Sequence, residues 1–145
     1  MQSAKRRLEG YQESLRQSNI PLDPELIQPG DFTQEAGYSG AKKLLALPNP
    51  PTAIFAANDK TAIGAIEAVG EAGLLIPEHI SVVGFDNIEE AAYCNGGLTT
   101  VDQSLDEMAQ VAVEMLLNLI QNKVVENPLH RVPTKLIVRN SCRAI

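Results

Sequence analysis

The order of apolar and polar residues along the chain predicts strands that alternate with helices. Two uninterrupted apolar runs, 52–57 and 80–85, each end abruptly in polar residues. Apolar runs of this length without alternation are typical of strands that are buried on both faces of a parallel sheet. Apolar residues spaced three and four apart predict helices over 3–18, 33–47, 59–73 and 104–122.

Shorter extended segments complete the pattern. One begins at Leu26 and runs towards Phe32, and two others cover 98–101 and 135–139. The first part of the chain therefore reads strand, helix, strand, helix, strand, which is the signature of a doubly wound parallel sheet. Thr33 is a suitable N-cap for the second helix, and Gly73 is a suitable C-terminal residue for the third. The predicted fold class is α/β.

Polar side chains follow both long apolar runs. Asn58 and Asp59 come directly after the first run, and Asp86 and Asn87 come directly after the second. Ligands of open α/β sheets bind beyond the carboxyl ends of the strands, so these residues predict a site for a small polar molecule. Two structural alternatives stay open: Asp59 as the N-cap of the third helix, and Asp86 as a residue that stabilises a turn.

Composition limits the classes of partner. The 145 residues suffice for one domain with a core, 44% of them are hydrophobic, and the formal net charge is -6. A negative charge without a large basic cluster argues against binding of a phosphate backbone by this segment. No apolar run approaches the ~20 residues of a membrane span, and no signal peptide is recognisable. Cys94 and Cys142 lack metal-binding spacing and read as free thiols of a reducing cytosol.

Catalytic and metal-binding motifs are not recognisable in the sequence. His79 and His130 have no paired cysteine or HExxH spacing and read as surface histidines. Asp59 and Asp86 could form a general acid–base pair, but no nucleophile or metal cluster accompanies them. Carboxylates beside amides suit the recognition of hydroxyls or amines better, so we expect no cofactor, no metal and no enzyme activity.

Several segments, in order and spacing, resemble one known family. They are Arg7–Tyr11, Gly30–Phe32, Pro51–Ala65, Gly73–Pro77, Ile80–Asn87, Leu98–Gln103 and Leu136–Ser141. Together they resemble the effector-binding domain of the lactose-repressor (LacI/GalR) family of bacterial transcription regulators, over nearly the whole chain. The resemblance implies a periplasmic-binding-protein-like fold, in which two α/β lobes enclose a small-molecule effector.

The same resemblance implies a set of ligand contacts. They fall on Arg7, Phe32, Asn58, Asp86 and Gln103, while Asp59 is either a further contact or a helix cap. Arg7 would reach a carboxylate or sugar hydroxyls, Phe32 would stack on a sugar or base, and Gln103 would lie where the chain crosses between lobes. Helix statistics alone would place Arg7 on the solvated surface, and Phe32 could be plain core.

The resemblance also implies a homodimer and an allosteric role. Its dimer contacts fall on Ile63, Ile66 and Tyr93, for which intramolecular core is the alternative. DNA binding would reside in an N-terminal helix-turn-helix that this sequence lacks. The implied function is effector sensing, with a sugar-like or purine-like ligand changing DNA affinity. A sugar-binding protein of a transport system is the alternative. Upstream sequence would distinguish the two, because a helix-turn-helix indicates the regulator and a secretion signal indicates the transport protein.

Two departures from the family pattern predict an incomplete lobe. The first lobe and a central strand before the Arg7 helix are absent from the sequence, so residues 1–145 read as a partial effector-binding and dimerisation domain. The strands at Leu26 and Thr52 would then flank a vacant position. The helix at 104–122 would belong to the first lobe, so its methionine-bearing face should be exposed or covered by another copy.

Overall fold

The computed structural model describes residues 2–121, 123 and 129–144. Its helices are Gln2–Gln17 (α1), Gln34–Leu45 (α2), Asp59–Glu71 (α3) and Leu105–Ile120 (α4), and its strands are Ala53–Phe55 (β1), Ser81–Asp86 (β2), Thr99–Asp102 (β3) and Lys135–Ile137 (β4). The α/β prediction and all four predicted helices are confirmed. The predicted helix end at Asn122 lies outside the described residues.

The strands form one mixed sheet in the order β1-β2-β3-β4. β1, β2 and β3 are parallel, and β4 pairs with β3 in the antiparallel direction. The parallel register sets Ile54 opposite Val82 and Phe55 opposite Val83, so that Val82 faces α3 and Val83 faces the other side of the sheet. This parallel arrangement brings the carboxyl ends of β1, β2 and β3 to one edge of the lobe.

The main core lies between the sheet and α3. Its buried side chains include Ala62 and Val69 of α3 and Val82 of β2, with Leu98 just before β3. Because these residues are almost fully removed from water, they supply most of the apolar stabilisation that fixes α3 on the sheet. The N-terminal end of α3 is thereby held next to the carboxyl ends of β1 and β2.

α2 packs on α3 through glycines. A Cβ at Gly37 would lie 2.0 Å from the Thr61 carbonyl oxygen, and one at Gly64 would lie 1.9 Å from the Gln34 carbonyl oxygen. Both obstacles are backbone atoms, so a side chain at either position would force the helices apart. The small residues that the sequence places in these helices therefore permit a close backbone approach.

The predicted strand from Leu26 towards Phe32 is wrong. Pro24–Leu26 forms a short 3₁₀ helix instead, and the Asp23 carboxylate accepts a hydrogen bond of 2.9 Å from the Glu25 amide. Proline supplies the φ of such a turn and the aspartate caps it, which overrides the short apolar run. Among the described residues β1 is therefore an edge strand, and the predicted vacant position has only one of its two expected neighbouring strands.

α1 and α4 lie at the surface of the described structure. Neither helix contains a buried residue. Leu116 and Ile120 of α4 are 56% and 67% exposed, and Met108 is also exposed. The predicted exposure of the methionine-bearing face is confirmed. The face of the sheet opposite α3 is likewise open in part, because Phe55 of β1 and Leu136 of β4 are exposed.

Candidate functional site

An arginine–aspartate pair occupies the carboxyl end of β2. Nη1 of Arg7 donates a hydrogen bond of 2.8 Å to the Ala57 carbonyl oxygen, just beyond β1. The guanidinium carbon lies 3.9 Å from the centroid of the Phe85 ring, which is a close cation–π contact. Nη2 lies 3.7 Å from Oδ1 of Asp86. Arg7 is therefore directed into the predicted site, and the alternative of a solvated arginine is wrong.

Gln103 reaches the same carboxylate from β3. The register sets Asp86 opposite Asp102, so the residue after β3 lies beside the end of β2. Nε2 of Gln103 donates a hydrogen bond of 2.5 Å to Oδ1 of Asp86. Within the part of the chain that the structure describes, no group donates a hydrogen bond to Oδ2. The Asp86 carboxylate therefore keeps acceptor capacity for a further partner.

The turn that carries Asp86 has an unusual backbone. Asp86 and Asn87 both have positive φ, 114° and 57°. Such conformations cost about 1–3 kcal/mol each outside glycine and persist only where neighbouring contacts impose them. One such contact comes from Arg139, whose guanidinium donates to Oδ1 of Asn87 at 2.8 Å and to the Leu98 carbonyl oxygen at 2.7 Å.

Asn58 connects α3 with the segment of Phe32. Its Oδ1 accepts a hydrogen bond of 2.9 Å from the Thr61 amide, which makes Asn58 the N-cap of α3. Its Nδ2 donates to the Phe32 carbonyl oxygen at 3.0 Å. Phe32 has a φ of 71°, and its ring centroid lies 5.8 Å from the Arg7 guanidinium. Phe32 is half-buried and belongs to neither buried core cluster, so the plain-core alternative is wrong.

Asp59 lies behind the site and not in it. The prediction of a cap is wrong, because Asn58 fills that position and Asp59 is the first residue of the helix. Its carboxylate is fully buried and accepts hydrogen bonds from the Thr100 hydroxyl at 2.5 Å and the Ile88 amide at 2.9 Å. Burial raises the pKa of the Asp59 carboxyl above its ordinary value, and these two hydrogen bonds lower it in part. A buried, bonded carboxylate is poorly placed for an effector or for acid–base chemistry with Asp86.

Sequence reasoning missed two residues of this region. Phe85 reads as strand core, yet its ring lies under the Arg7 guanidinium. Arg139 belongs to a recognised segment but had no role, although it bonds the Asn87 side chain. A charged residue directly after the apolar run of β4 was the available signal for Arg139. Nothing in the local pattern distinguishes Phe85 from other core residues.

The residues of the predicted dimer face line two neighbouring surface grooves. Ile63 and Tyr93, together with Phe32 and Ile88, line an open groove of about 890 Å³. Ile66 lines a second groove of about 300 Å³ and also packs against the main core. Tyr93 is 77% exposed. The structure thus brings Ile63 and Tyr93 together at the surface, and Ile66 is shared between surface and core.

Metal clusters and membrane-spanning helices are both absent from the described residues. There, no three histidine, cysteine, aspartate or glutamate side chains cluster in a way that could hold a metal ion. The helices in those same residues are too short or too polar to cross a bilayer. Cys94 and Cys142 are free thiols.

Comparisons with known proteins agree with the fold. A family model described as a periplasmic binding protein-like domain matches residues 1–142. The HTH-type transcriptional repressor CytR of Escherichia coli (strain K12) is 41% identical over 139 residues, which is 96% of this chain and 41% of that protein. The chain thus spans about two fifths of the length of this curated relative.

Two solved structures extend the likeness. A LacI-type transcription regulator from Bifidobacterium animalis subsp. lactis superposes with a TM-score of 0.91 at 29% identity, covering 98% of this chain and 51% of that one. The lac repressor dimer bound to operator and an anti-inducer superposes with a TM-score of 0.83 at 33% identity, covering 98% and 49%. These relatives are transcription regulators and not enzymes, as the sequence predicts for this chain. The chain belongs to the periplasmic binding protein-like domain family, as a relative of the effector-binding domains of LacI-type transcription regulators.

Proposed function

We propose that this chain senses a small, neutral, hydroxyl-bearing effector for a LacI-type regulator. The observation that carries the proposal is the shared Asp86 carboxylate, which meets the Arg7 guanidinium and the Gln103 amide at one oxygen. Its other oxygen remains available as an acceptor. Charge-assisted hydrogen bonds from ligand hydroxyls to such a carboxylate are strong and directional.

The charge balance supports a neutral ligand. The positive charge of Arg7 is already opposed by Asp86 at 3.7 Å, and its π face is covered by Phe85. An anionic ligand would be repelled by the Asp86 carboxylate as well as attracted by the Arg7 guanidinium, so its charge would add little to the affinity. Phe32 adds an aromatic surface suited to a sugar ring or a purine base.

Asn58 is the fifth proposed ligand contact. Its amide already bonds the Thr61 amide and the Phe32 carbonyl group, which fixes the side chain at the N-terminus of α3. An amide has two N–H donors and two acceptor lone pairs, so hydrogen-bonding capacity remains for a ligand. The proposed site therefore combines a charged acceptor, amide groups and an aromatic face near the carboxyl ends of the strands.

Ligand binding would act through lobe closure and dimer geometry. An effector changes DNA affinity only if it binds two conformations with different affinity. In this proposal the site lies between two lobes, with α4 belonging to the other lobe, and DNA is bound by an N-terminal helix-turn-helix of the parent protein. The exposed apolar side chains of α4 support that assignment.

A second copy of the chain would cover the groove of Ile63 and Tyr93. The exposed tyrosine beside apolar residues supports this assignment, because aromatic side chains are enriched at interfaces. Sedimentation velocity tests it: Tyr93→Asp should shift the protein towards monomer, and Leu116→Asp on α4 should not. A dimer that survives Tyr93→Asp and dissociates with Leu116→Asp would place the interface on α4.

Calorimetry on the full-length parent tests the function. Sugars, polyols and purine nucleosides are titrated into the wild-type protein, and the class that binds is then titrated into Asp86→Ala. Loss of a charged hydrogen-bond partner should weaken binding by tenfold or more. Asp106→Ala, on the exposed first turn of α4, is the matched control and should leave the affinity unchanged.

The outcomes separate the alternatives. Unchanged affinity in Asp86→Ala would remove Asp86 from the site, and failure of all three neutral ligand classes to bind would contradict the proposed neutral effector. A sugar-binding protein of a transport system would bind the same class of ligand with no effect on DNA. An operator-binding assay with and without the bound ligand therefore distinguishes a regulator from a transport protein.

A further inference from the structure

The buried Asp59 carboxylate has no role in the proposed ligand contacts, yet it connects its own helix with strand β3 and with the segment that follows β2. It lies on α3, accepts a hydrogen bond from Thr100 of β3, and accepts another from the Ile88 amide directly after the Asp86 turn. These contacts connect the first turn of α3 with the segment that presents Asp86. Asp59 is fully buried, so solvent cannot replace either partner.

The sheet leaves room for this carboxylate. A Cβ at Gly84 would lie 2.1 Å from Oδ1 of Asp59, so the carboxylate occupies the space beside β2 that any other residue would fill. Gly84 lies two residues before Asp86 on the same strand. Asp59 therefore lies against the strand that precedes the turn and accepts a hydrogen bond from the Ile88 amide at the end of the turn.

We infer that Asp59 is a positioning residue, whose carboxylate imposes the backbone of the Asp86–Ile88 turn and so places the Asp86 side chain between Arg7 and Gln103. Asp86 and Asn87 both have positive φ, and such a backbone needs contacts that hold it. The Arg139 contact acts on the Asn87 side chain, whereas the Asp59 contact acts on the backbone at the end of the turn. The inference deepens the proposed function, because it concerns how the proposed ligand-contacting carboxylate is held.

The test observes the Asp86 environment without any ligand. The side-chain amide of Gln103 donates to Asp86, so its pair of ¹⁵N–¹H NMR resonances reports the position of the carboxylate. Asp59→Ala removes the acceptor of the Ile88 amide and should shift this pair. Asp59→Asn keeps an oxygen for Ile88 and gains an N–H for the Thr100 oxygen, so it should restore the wild-type position.

A matched control separates positioning from general loss of stability. Val69→Ala removes a buried side chain from the same helix, away from the turn, and should leave the Gln103 resonances in place. If Asp59→Ala does not fold, Thr100→Val removes the other hydrogen bond with similar volume and should shift the same pair.

Several results would overturn the inference. The first is that the Gln103 resonances stay at their wild-type positions in Asp59→Ala or, where that variant does not fold, in Thr100→Val. The second is that Asp59→Asn shifts them as much as Asp59→Ala does. The third is that Val69→Ala shifts them by the same amount. Since no ligand is present, none of these outcomes depends on whether the site binds an effector. If no ligand binds in the calorimetry but the Gln103 resonances move in the variants as expected here, only the proposed function is contradicted.

Discussion

Two pairs of helices in this chain have clear amphipathic sequences and different surroundings. α2 and α3 pack against each other through Gly37 and Gly64, and α3 packs on the sheet. α1 and α4 are each longer than α2, yet neither contains a buried residue. An apolar stripe therefore predicts a helix and the need for a partner, but it does not identify the partner.

The largest expected effect concerns the contact between α2 and α3. In Gly64→Ala the new Cβ would lie 1.9 Å from the Gln34 carbonyl oxygen and 2.8 Å from the Tyr38 amide nitrogen. Backbone cannot rotate away as a flexible side chain can, so the helices must separate. We expect a loss of about 3 kcal/mol or more in the free energy of unfolding, measured by urea denaturation.

Gly70→Ala is the control for that substitution. Gly70 is in the same helix, and no atom of the described residues lies within 4 Å of a Cβ at that position. Alanine is a better helix former than glycine, so this variant should gain about 0.5 kcal/mol or more. A Gly64→Ala protein as stable as Gly70→Ala would show that α2 and α3 are not in close contact.

The second prediction compares the buried and the exposed helix directly. Val69→Ala in α3 empties a fully buried position and should cost about 2 kcal/mol. Leu116→Ala in α4 removes a larger side chain that is 56% exposed and should change stability by less than about 0.5 kcal/mol. Denaturation of the 145-residue chain gives both values. A large cost at Leu116 that depends on protein concentration would mean that another copy covers α4.

The sequence predicts the elements of both regions well for physical reasons. The continuous apolar runs do form strands, but the predicted burial on both faces is wrong. β1 is exposed at Phe55, and β2 is fully buried only on the face that α3 covers, because the other face of the sheet is partly open. The helix periodicity of 3.6 is strong where stripes are long. The strand predicted at Leu26 failed because capping by Asp23 and the fixed φ of Pro24 are local effects that outweigh an apolar run of two residues. The antiparallel direction of β4 is set by pairing across the sheet, which no local pattern records.

The candidate site was predictable as a set of residues but not as a geometry. The positions that follow buried strands do gather at one edge, since parallel strands end together. It was not predictable that Asn58 would cap α3 and Asp59 would be buried, because either residue type can cap a helix. Which one turns into the core depends on the space left by Gly84 and on the Thr100 hydroxyl, both distant in sequence.

The third prediction concerns the buried carboxylate of Asp59, at the start of α3. Burial raises the pKa of Asp59 above its ordinary value of 3.8, so between those two values the folded protein holds more protons than the unfolded chain. The contribution of Asp59 to stability is therefore fully present below the unfolded pKa and is lost as pH rises through the folded pKa. The nearby charge of Asp86 acts in the same direction.

Urea denaturation at a series of pH values from 3 to 7 tests this titration. Asparagine at position 59 cannot ionise. The free energy of unfolding of Asp59→Asn relative to wild type should therefore increase as pH rises from the ordinary pKa of Asp59 through its raised pKa in the folded protein. Asp106→Asn, on the exposed first turn of α4, should show a nearly constant difference. A constant difference for Asp59→Asn as well would mean that the carboxyl does not titrate with a raised pKa.

The smallest expected effect separates α1 from the cooperative core. Gly10 in α1 and Gly70 in α3 are both helical, and in the described part of the chain a Cβ at either position would meet no atom within 4 Å. Alanine at either site should favour the helix by about 0.5–1 kcal/mol. Gly70→Ala should raise the global free energy of unfolding, because α3 unfolds with the core. Gly10→Ala should instead slow amide exchange within α1 and leave the global value nearly unchanged, because α1 has no buried residue and opens locally. Equal global gains from both variants would show that the Arg7 contacts join α1 to the core as firmly as burial joins α3.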